Sequence, residues 1–405
     1  MDPLDNPYTP NAGATPEVMI GRDDQVATFR MLLQRVARGR PEQSMIVTGL
    51  RGVGKTVLLN RFEKIANELD WEVIAFEASK HDDSHFRQTM FTQLRGALLR
   101  LSPRKRWDEW AQRAGEALSA FALSVDQTGT FSLSWDVPPA EGIADHGDIA
   151  LDLIDVLVAI GKAAQNREKG LAILIDEIQF LSTPQLEALI QSINRTVQLN
   201  LPVAFVGAGL PQIAKLAGDA KSYAERLFKF PHIGELSELD AGLAFTEPAQ
   251  TEGVMFDEAA VKLAVQIARG YPYFIQELGY QVWAVAEGNR VTVEDVVAAQ
   301  EAYEMKLDSS FFRVRLDRAT PLQAAYMRAM AQLGPHPQKA ADVAKLLHRE
   351  STQIAPTRAE LIEMGLLYTP DHGYAAFTVP DFDKFMLRAI PRLEVPPIQR
   401  RRKRG

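Results

Sequence analysis

An α/β core built on a parallel sheet, then a small all-helical unit, then a winged-helix unit, is the architecture predicted for this 405-residue chain. Three observations predict it. Short apolar runs alternate with stretches of helical periodicity between residues 44 and 206, which is the order of repeated βαβ units. Strand signals then stop after Glu235 while helical periodicity continues. Near the end, three helical stretches precede two apolar runs that flank the turn at Pro370 to Gly373, the order of a winged helix.

Taken in order, residues 1–16 carry Pro3, Pro7, Pro10 and Pro16 among small polar residues and read as a flexible, extended tail. Val26, Phe29, Leu32, Leu33 and Val36 recur at three and four, predicting a helix over 23–37 that Gly39 and Pro41 end. Residues 44–48 form a strand, 57–69 a helix and 71–76 a strand, the first βαβ unit. A helix follows at 85–101. Residues 120–137 alternate apolar and polar around Asp126 to Gly129 and read as an inserted β-hairpin. Helices at 148–164 and 184–199 then alternate with strands at 171–175 and 203–206, completing a core of residues 17–235 with helices on both faces of the sheet.

Three helices, at 257–269, 272–286 and 292–306, make the small helical unit of residues 236–308. In the unit of 309–391, helices at 321–333, 340–347 and 356–364 precede strands at 366–369 and 374–379. Residues 392–405 form a tail with basic residues at Arg400, Arg401, Arg402, Lys403 and Arg404.

Composition limits what such a chain does. At 46% hydrophobic residues it has enough apolar surface for two or three cores. A net charge of -7 excludes a globally basic surface, so contact with nucleic acid has to come from a local patch. The absence of cysteine excludes disulfides, thiolate zinc sites and thiol nucleophiles, and fits a reducing compartment. No apolar run approaches the roughly 18 residues of a membrane span, and the first residues have no basic start or apolar segment. A cytoplasmic protein without membrane contact is expected.

The chemistry concentrates at two places. GLRGVGKT lies between a predicted strand and a predicted helix, where glycines permit a tight turn and backbone N–H groups converge on phosphate oxygens. Gly49, Leu50, Arg51, Gly52, Val53, Gly54 and Val57 would shape this loop. Lys55 would reach the β- and γ-phosphates, and the Thr56 hydroxyl would meet Mg²⁺. LAILIDE ends a buried strand in Asp176 and Glu177, at the carboxyl edge of the sheet where ligands bind. Asp176 would hold Mg²⁺ through water, and Glu177 would polarise the attacking water.

Arg226, in SYAERLFKF, is the candidate for transition-state charge, the alternative being a surface arginine paired with Glu225. Arg269 near a helix end has an ordinary reading as dipole compensation. In the winged helix, the predicted recognition helix sets Arg358 against Glu360 and Glu363, with His348 and Arg349 just before it, so DNA and protein are equally open as its target. The basic tail could add non-specific phosphate contacts.

Together these elements resemble the AAA+ ATPases close to the STAND and archaeal origin-initiator groups, in particular bacterial ATP-binding proteins that join this P-loop core and helical lid to a winged helix. The resemblance covers residues 17–390. It implies ATP and Mg²⁺ as ligands and ATP hydrolysis as the activity. MIGRDDQ resembles the segment that packs near adenine, which implies Ile20, Gly21 and Arg22 near the base. SYAERLFKFPHIGELSELD resembles the arginine-finger segment, and GYPYFIQEL the lid motif that brings Pro272 near the nucleotide.

One departure stands out: VAFVGAGLP carries Gly207 and Ala208 where a polar sensor is common, which points to slow turnover. The hairpin presents Ser124, Asp126, Thr128 and Ser132 without a lysine or arginine, which favours protein contact or cover for a sheet edge over DNA. The expected function is a nucleotide-dependent switch that positions the winged helix for a partner. The alternatives are a DNA-binding, initiator-like regulator and an effector-regulated scaffold with negligible turnover. Arg226 acting between subunits would require a homo-oligomer.

Overall fold

The computed structural model describes residues 1–11, 13–79, 83–123 and 137–397. The first half of the chain runs α1 (Asp23–Ala37), β1 (Ser44–Thr48), α2 (Lys55–Glu68), β2 (Trp71–Glu77), α3 (Asp83–Leu101), α4 (Glu109–Leu123), α5 (Ile149–Asn166), β3 (Gly170–Asp176), α6 (Thr183–Gln198), β4 (Val203–Gly209), α7 (Ile213–Ala220), α8 (Ala224–Leu227) and β5 (Phe228–Lys229). The five strands are parallel, in the spatial order β2-β3-β4-β1-β5.

Side chains alternate across this sheet, as the pleat requires. Ile46, Ile173 and Phe205 enter a core beneath α3 to α6, whereas Met45, Leu174 and Val206 enter a second core with α1 and α2. Burial on both faces explains why the strands read as continuous apolar runs. The register also places the ends of β1 and β3 at one edge, since Thr48 pairs with Gly209 of β4, and Ile175 with Gly207. Phosphate loop and acidic pair therefore face the same crevice.

The helical lid comprises α9 (Glu238–Thr251), β6 (Met255–Phe256), α10 (Glu258–Ala268), α11 (Pro272–Val285), β7 (Arg290–Val291) and α12 (Val293–Lys306). A π-helical turn at Leu307–Phe312 and the short α13 (Arg313–Leu316) lead onward. The C-terminal unit follows as α14 (Pro321–Leu333), β8 (Gln338–Lys339), α15 (Ala340–Leu346), α16 (Ser351–Glu363), β9 (Leu367–Tyr368), β10 (Tyr374–Phe377) and α17 (Phe382–Ala389). Its three-stranded antiparallel sheet has the order β8-β10-β9, and this succession of helices and strands is a winged helix. Phe312 stacks on Phe385 at 5.3 Å and Arg269 meets Asp381 at 2.8 Å, so lid and winged helix share one packed boundary. Among the described residues no helix is long and apolar enough to cross a membrane.

Two expectations are corrected. Residues 1–16 do not hang free along their described length: the terminal ammonium donates to Ala286 O at 2.7 Å, Trp283 Nε1 donates to Asp2 O at 2.8 Å, and Tyr8 is 1% exposed. Proline-rich sequence excludes regular structure, but it does not exclude packing. The hairpin expected at 120–137 is not one at its start, because Ala120 to Leu123 are the last turn of α4. Ala114, Ala117, Leu118 and Phe121 are buried at helical spacing there, and that longer period outweighs the local alternation. Residues 124–136, like the basic residues 400–404, lie outside the described residues.

Smaller differences have local causes. Sequence reading starts α16 at Pro356, but a capping box between Glu350 and Gln353 begins it at Ser351 and leaves the proline inside. The weakly amphipathic α9, which contains Pro248, and the two-residue strands β6, β7 and β8 give little periodic signal.

Candidate nucleotide-binding site

The loop after β1 closes through glycine. Gly54, at φ 92°, is the N-cap of α2 and offers no side-chain cap to the first N–H groups of the helix, which are left to a ligand. Lys55 opens α2 and is 6% exposed. Its ammonium donates to Gly49 O at 3.0 Å and Leu50 O at 2.8 Å. Burial pulls its pKa below the ordinary lysine value, opposed by the nearby Glu177 and Asp176.

Thr56 Oγ1 donates to Asp176 Oδ2 at 2.5 Å, and Glu177 N donates to Asp176 Oδ1 at 2.8 Å. Burial raises the Asp176 pKa, while these two bonds oppose the rise. Glu177 sits at φ 50°, an uncommon conformation for a non-glycine residue and one that concentrates at functional sites. Its Oε1 lies 3.2 Å from Arg51 Nη1, and its Oε2 accepts from Gln179 Nε2.

A cavity of about 590 Å³ opens over this loop, lined by Arg51 to Val57 and Glu177, with Ile20 and Arg22 from the segment before α1. Arg22 braces the loop: its Nη2 donates to Val53 O at 3.2 Å and Gly234 O at 2.8 Å, and burial lowers its pKa. Gly21 faces Leu236 and Asp240 rather than the loop. Across the cavity, Pro272 begins α11 and Tyr273 N donates to Gly52 O at 3.2 Å, which joins lid to loop.

The N-terminal segment closes one side. Thr9 N donates to Gln276 Oε1 on α11 at 2.9 Å, and Asn60 Nδ2 on α2 donates to Gly13 O at 3.2 Å. Thr9 lines the cavity, while its hydroxyl oxygen is buried without a hydrogen-bond partner. A volume of this size suits a small organic ligand.

Residues 18–206 match the AAA ATPase domain family. This stretch is an AAA ATPase domain. Residues 309–386, which span the winged helix, match a family described as a domain of unknown function (DUF8462). No curated protein matches the chain. Among solved structures, the Walker-type ATPase PABY2304 of Pyrococcus abyssi is similar over 92% of this chain and 97% of that one, at 14% identity and a TM-score of 0.56, and the two share a fold. The Aeropyrum pernix Orc1 protein in complex with DNA aligns over 93% of this chain and 94% of that one, with 16% identity and a TM-score of 0.45. The Thermotoga maritima RuvB Holliday junction branch migration motor aligns over 93% and 96%, with 15% identity and a TM-score of 0.46.

The AAA domain's residues fit the ligand its family takes, ATP with Mg²⁺. Lys55 and the capless start of α2 would hold phosphates, and Thr56 and Asp176 would hold the metal. Once bound, Mg²⁺ neutralises charge on the phosphate oxygens. Gly49 and Leu50 contribute through the carbonyls that now occupy Lys55.

Arg226 stands elsewhere. It is exposed on α8, just before Phe228, which pairs with Ser44 at the start of β1, whereas the phosphate loop follows the end of that strand. Four strand residues at about 3.3 Å each separate the two edges, so Arg226 stands away from the site of its own chain. Within the chain, Arg315 lines the cavity together with Arg22 and Arg51, and sequence reading missed it. Its guanidinium lies 4.1 Å over the Phe311 ring and donates to Phe311 O. Burial, reinforced by Arg51, lowers its pKa to about 10. Arg313 and Arg318 surround it in sequence and no motif marks it out.

Among the described residues no carboxylate pairs with Arg315, which suits it to a phosphate. Arg315→Ala is expected to weaken MgATP binding by about tenfold or more, one charge-assisted bond being ~1.5–3 kcal/mol. MgADP should change less, because Arg315 feels the charge of Arg51, which lies beside Glu177. Fluorescent-nucleotide titration checks this, and equal loss for both nucleotides would contradict it.

Proposed function

We propose that this chain is an ATP-driven switch whose moving part is the winged helix. ATP with Mg²⁺ binds between the AAA domain, the N-terminal segment and the lid. Glu177 polarises water for hydrolysis, and the change from triphosphate to diphosphate alters how the winged helix is held for a partner. The lack of cysteine suits a cytoplasmic setting.

One observation carries this reading. Arg51, inside the phosphate loop, donates its backbone N–H to Thr378 O at 3.1 Å and its Nε to Gly365 O at 3.2 Å, both in the winged helix. The same guanidinium holds Glu177. A polyphosphate competes for that charge, so ligand arrival acts directly on winged-helix docking. This is the differential contact that a switch needs.

The test is hydrogen exchange at residues 365–378 in the free, MgATP and MgADP states, together with ATP turnover with and without double-stranded DNA at two salt concentrations. Expected are nucleotide-dependent exchange at 365–378 and slow turnover, indifferent to DNA and absent in Lys55→Ala. Identical exchange in all three states would reject the switch. Salt-sensitive stimulation by DNA would favour the DNA-linked regulator, a reading that rests here on the winged-helix topology. In α16 the charge of Arg358 is opposed by Glu360, which accepts from Gln323, and by Glu363.

A further inference from the structure

The strand β4 ends Gly207, Ala208, Gly209, without a polar side chain to face the acidic pair. We propose that Gln179, two residues beyond Glu177, supplies that missing polar contact from another element and is the positioning residue for the Glu177 carboxylate. The inference rests on the reading of Glu177 as the residue that polarises water.

Gln179 lies in a single 3₁₀ turn, Ile178–Phe180, anchored by the fully buried Ile178. Its side chain spans two elements. Leu210 N, just past β4, donates to Gln179 Oε1 at 3.1 Å, and Gln179 Nε2 donates to Glu177 Oε2. The direction of the amide is fixed by chemistry: a backbone N–H can only donate, so the oxygen must face Leu210, which leaves the NH₂ for a carboxylate that can only accept.

The bare end of β4 is the other half of this arrangement. A Cβ at Gly209 would stand 2.6 Å from Gln179 Oε1, and one at Gly207 would stand 2.8 Å from Ile178 Cδ1. Side chains at Gly207 and Gly209 would displace those of Ile178 and Gln179 from their present places. The polar group has therefore moved from the strand to the turn beside it.

Glu177 is held from two sides, by Arg51 at Oε1 and by Gln179 at Oε2. When a phosphate draws Arg51 away, Oε1 becomes available to water while Gln179 keeps the other oxygen fixed. A carboxylate tethered at one oxygen and free at the other is oriented for its task without being neutralised.

The test compares MgATP turnover in the parent, Glu177→Gln, Gln179→Leu and Gly209→Ala, with nucleotide affinity and melting temperature measured alongside. Gln179→Leu keeps the volume and removes the amide; Gly209→Ala keeps the amide and displaces it. Both are expected to lower kcat about ten- to a hundredfold, the size of effect that misplacing a reacting group produces. KM and MgATP affinity should stay within about twofold. Unchanged kcat in Gln179→Leu, or parallel losses of affinity and melting temperature in both variants, overturns the inference. If Glu177→Gln turns over like the parent, the role given to Glu177 fails and this inference with it. If Glu177→Gln is slow and Gln179→Leu is not, only the inference fails.

Discussion

Replacement of Lys55 by alanine is expected to weaken MgATP binding by two orders of magnitude or more while leaving the unliganded fold nearly intact. The ammonium is the charged group of the phosphate loop that is already buried, and in the free protein its hydrogen bonds go to the carbonyls of Gly49 and Leu50, with the carboxylates of Glu177 and Asp176 nearby. Binding exchanges those neutral acceptors for phosphate oxygens. A hydrogen bond to a charged group contributes ~1.5–3 kcal/mol, and two of them amount to a hundredfold or more in affinity. Loss of the side chain costs the free protein less, because both acceptors are neutral and Leu50 is only partly buried. Titration calorimetry beside thermal melting separates the two effects. Retained affinity would remove Lys55 from the site.

Tyr8→Ala is expected to produce the largest loss of stability, about 3–5 kcal/mol, the range for deleting a fully buried aromatic ring. The ring lies against Gly279 of α11, where a Cβ would stand 2.5 Å from Tyr8 Cδ1, and its hydroxyl donates to Phe245 O on α9. Ring and glycine are thus matched in shape, and the cavity left behind could not be refilled by its neighbours. Urea unfolding measures the loss, and hydrogen exchange should place it in α9 and α11. Tyr8→Phe should cost about 1 kcal/mol, the hydrogen bond alone. A loss below ~1 kcal/mol for the alanine variant would mean that the segment is not part of the lid's core.

Much of this molecule is written locally in its sequence. The bounds of α1 and β1, the phosphate loop and the acidic pair at the end of β3 all follow from residue type and period within a few positions of themselves. Tyr8 is different: nothing near it in sequence shows that Gly279 makes room for its ring. Arg315 and Gln179 are ordinary residues of a helix and a turn until the fold sets one over the cavity and the other across the end of β4. The alternation around residue 120 misled because the closing turn of α4 carries the same apolar residues as a strand would, and only the burial of Ala114, Ala117 and Phe121 shows the longer period.

The N-terminal segment has a kinetic consequence. It is bonded to α11 through Thr9 and to α2 through Gly13, so one stretch of chain joins both walls of the cavity. Swinging the lid away from the AAA domain as a rigid body must break one of these attachments. Peeling the segment back breaks the same bonds without disturbing the aromatic packing between lid and winged helix, and Pro10 and Pro16 bring no backbone N–H of their own to resist it. On the proposed reading, a nucleotide leaving on this side would first have to displace the Thr9 and Gly13 attachments, so its dwell time would depend on those few residues as well as on the domains on either side.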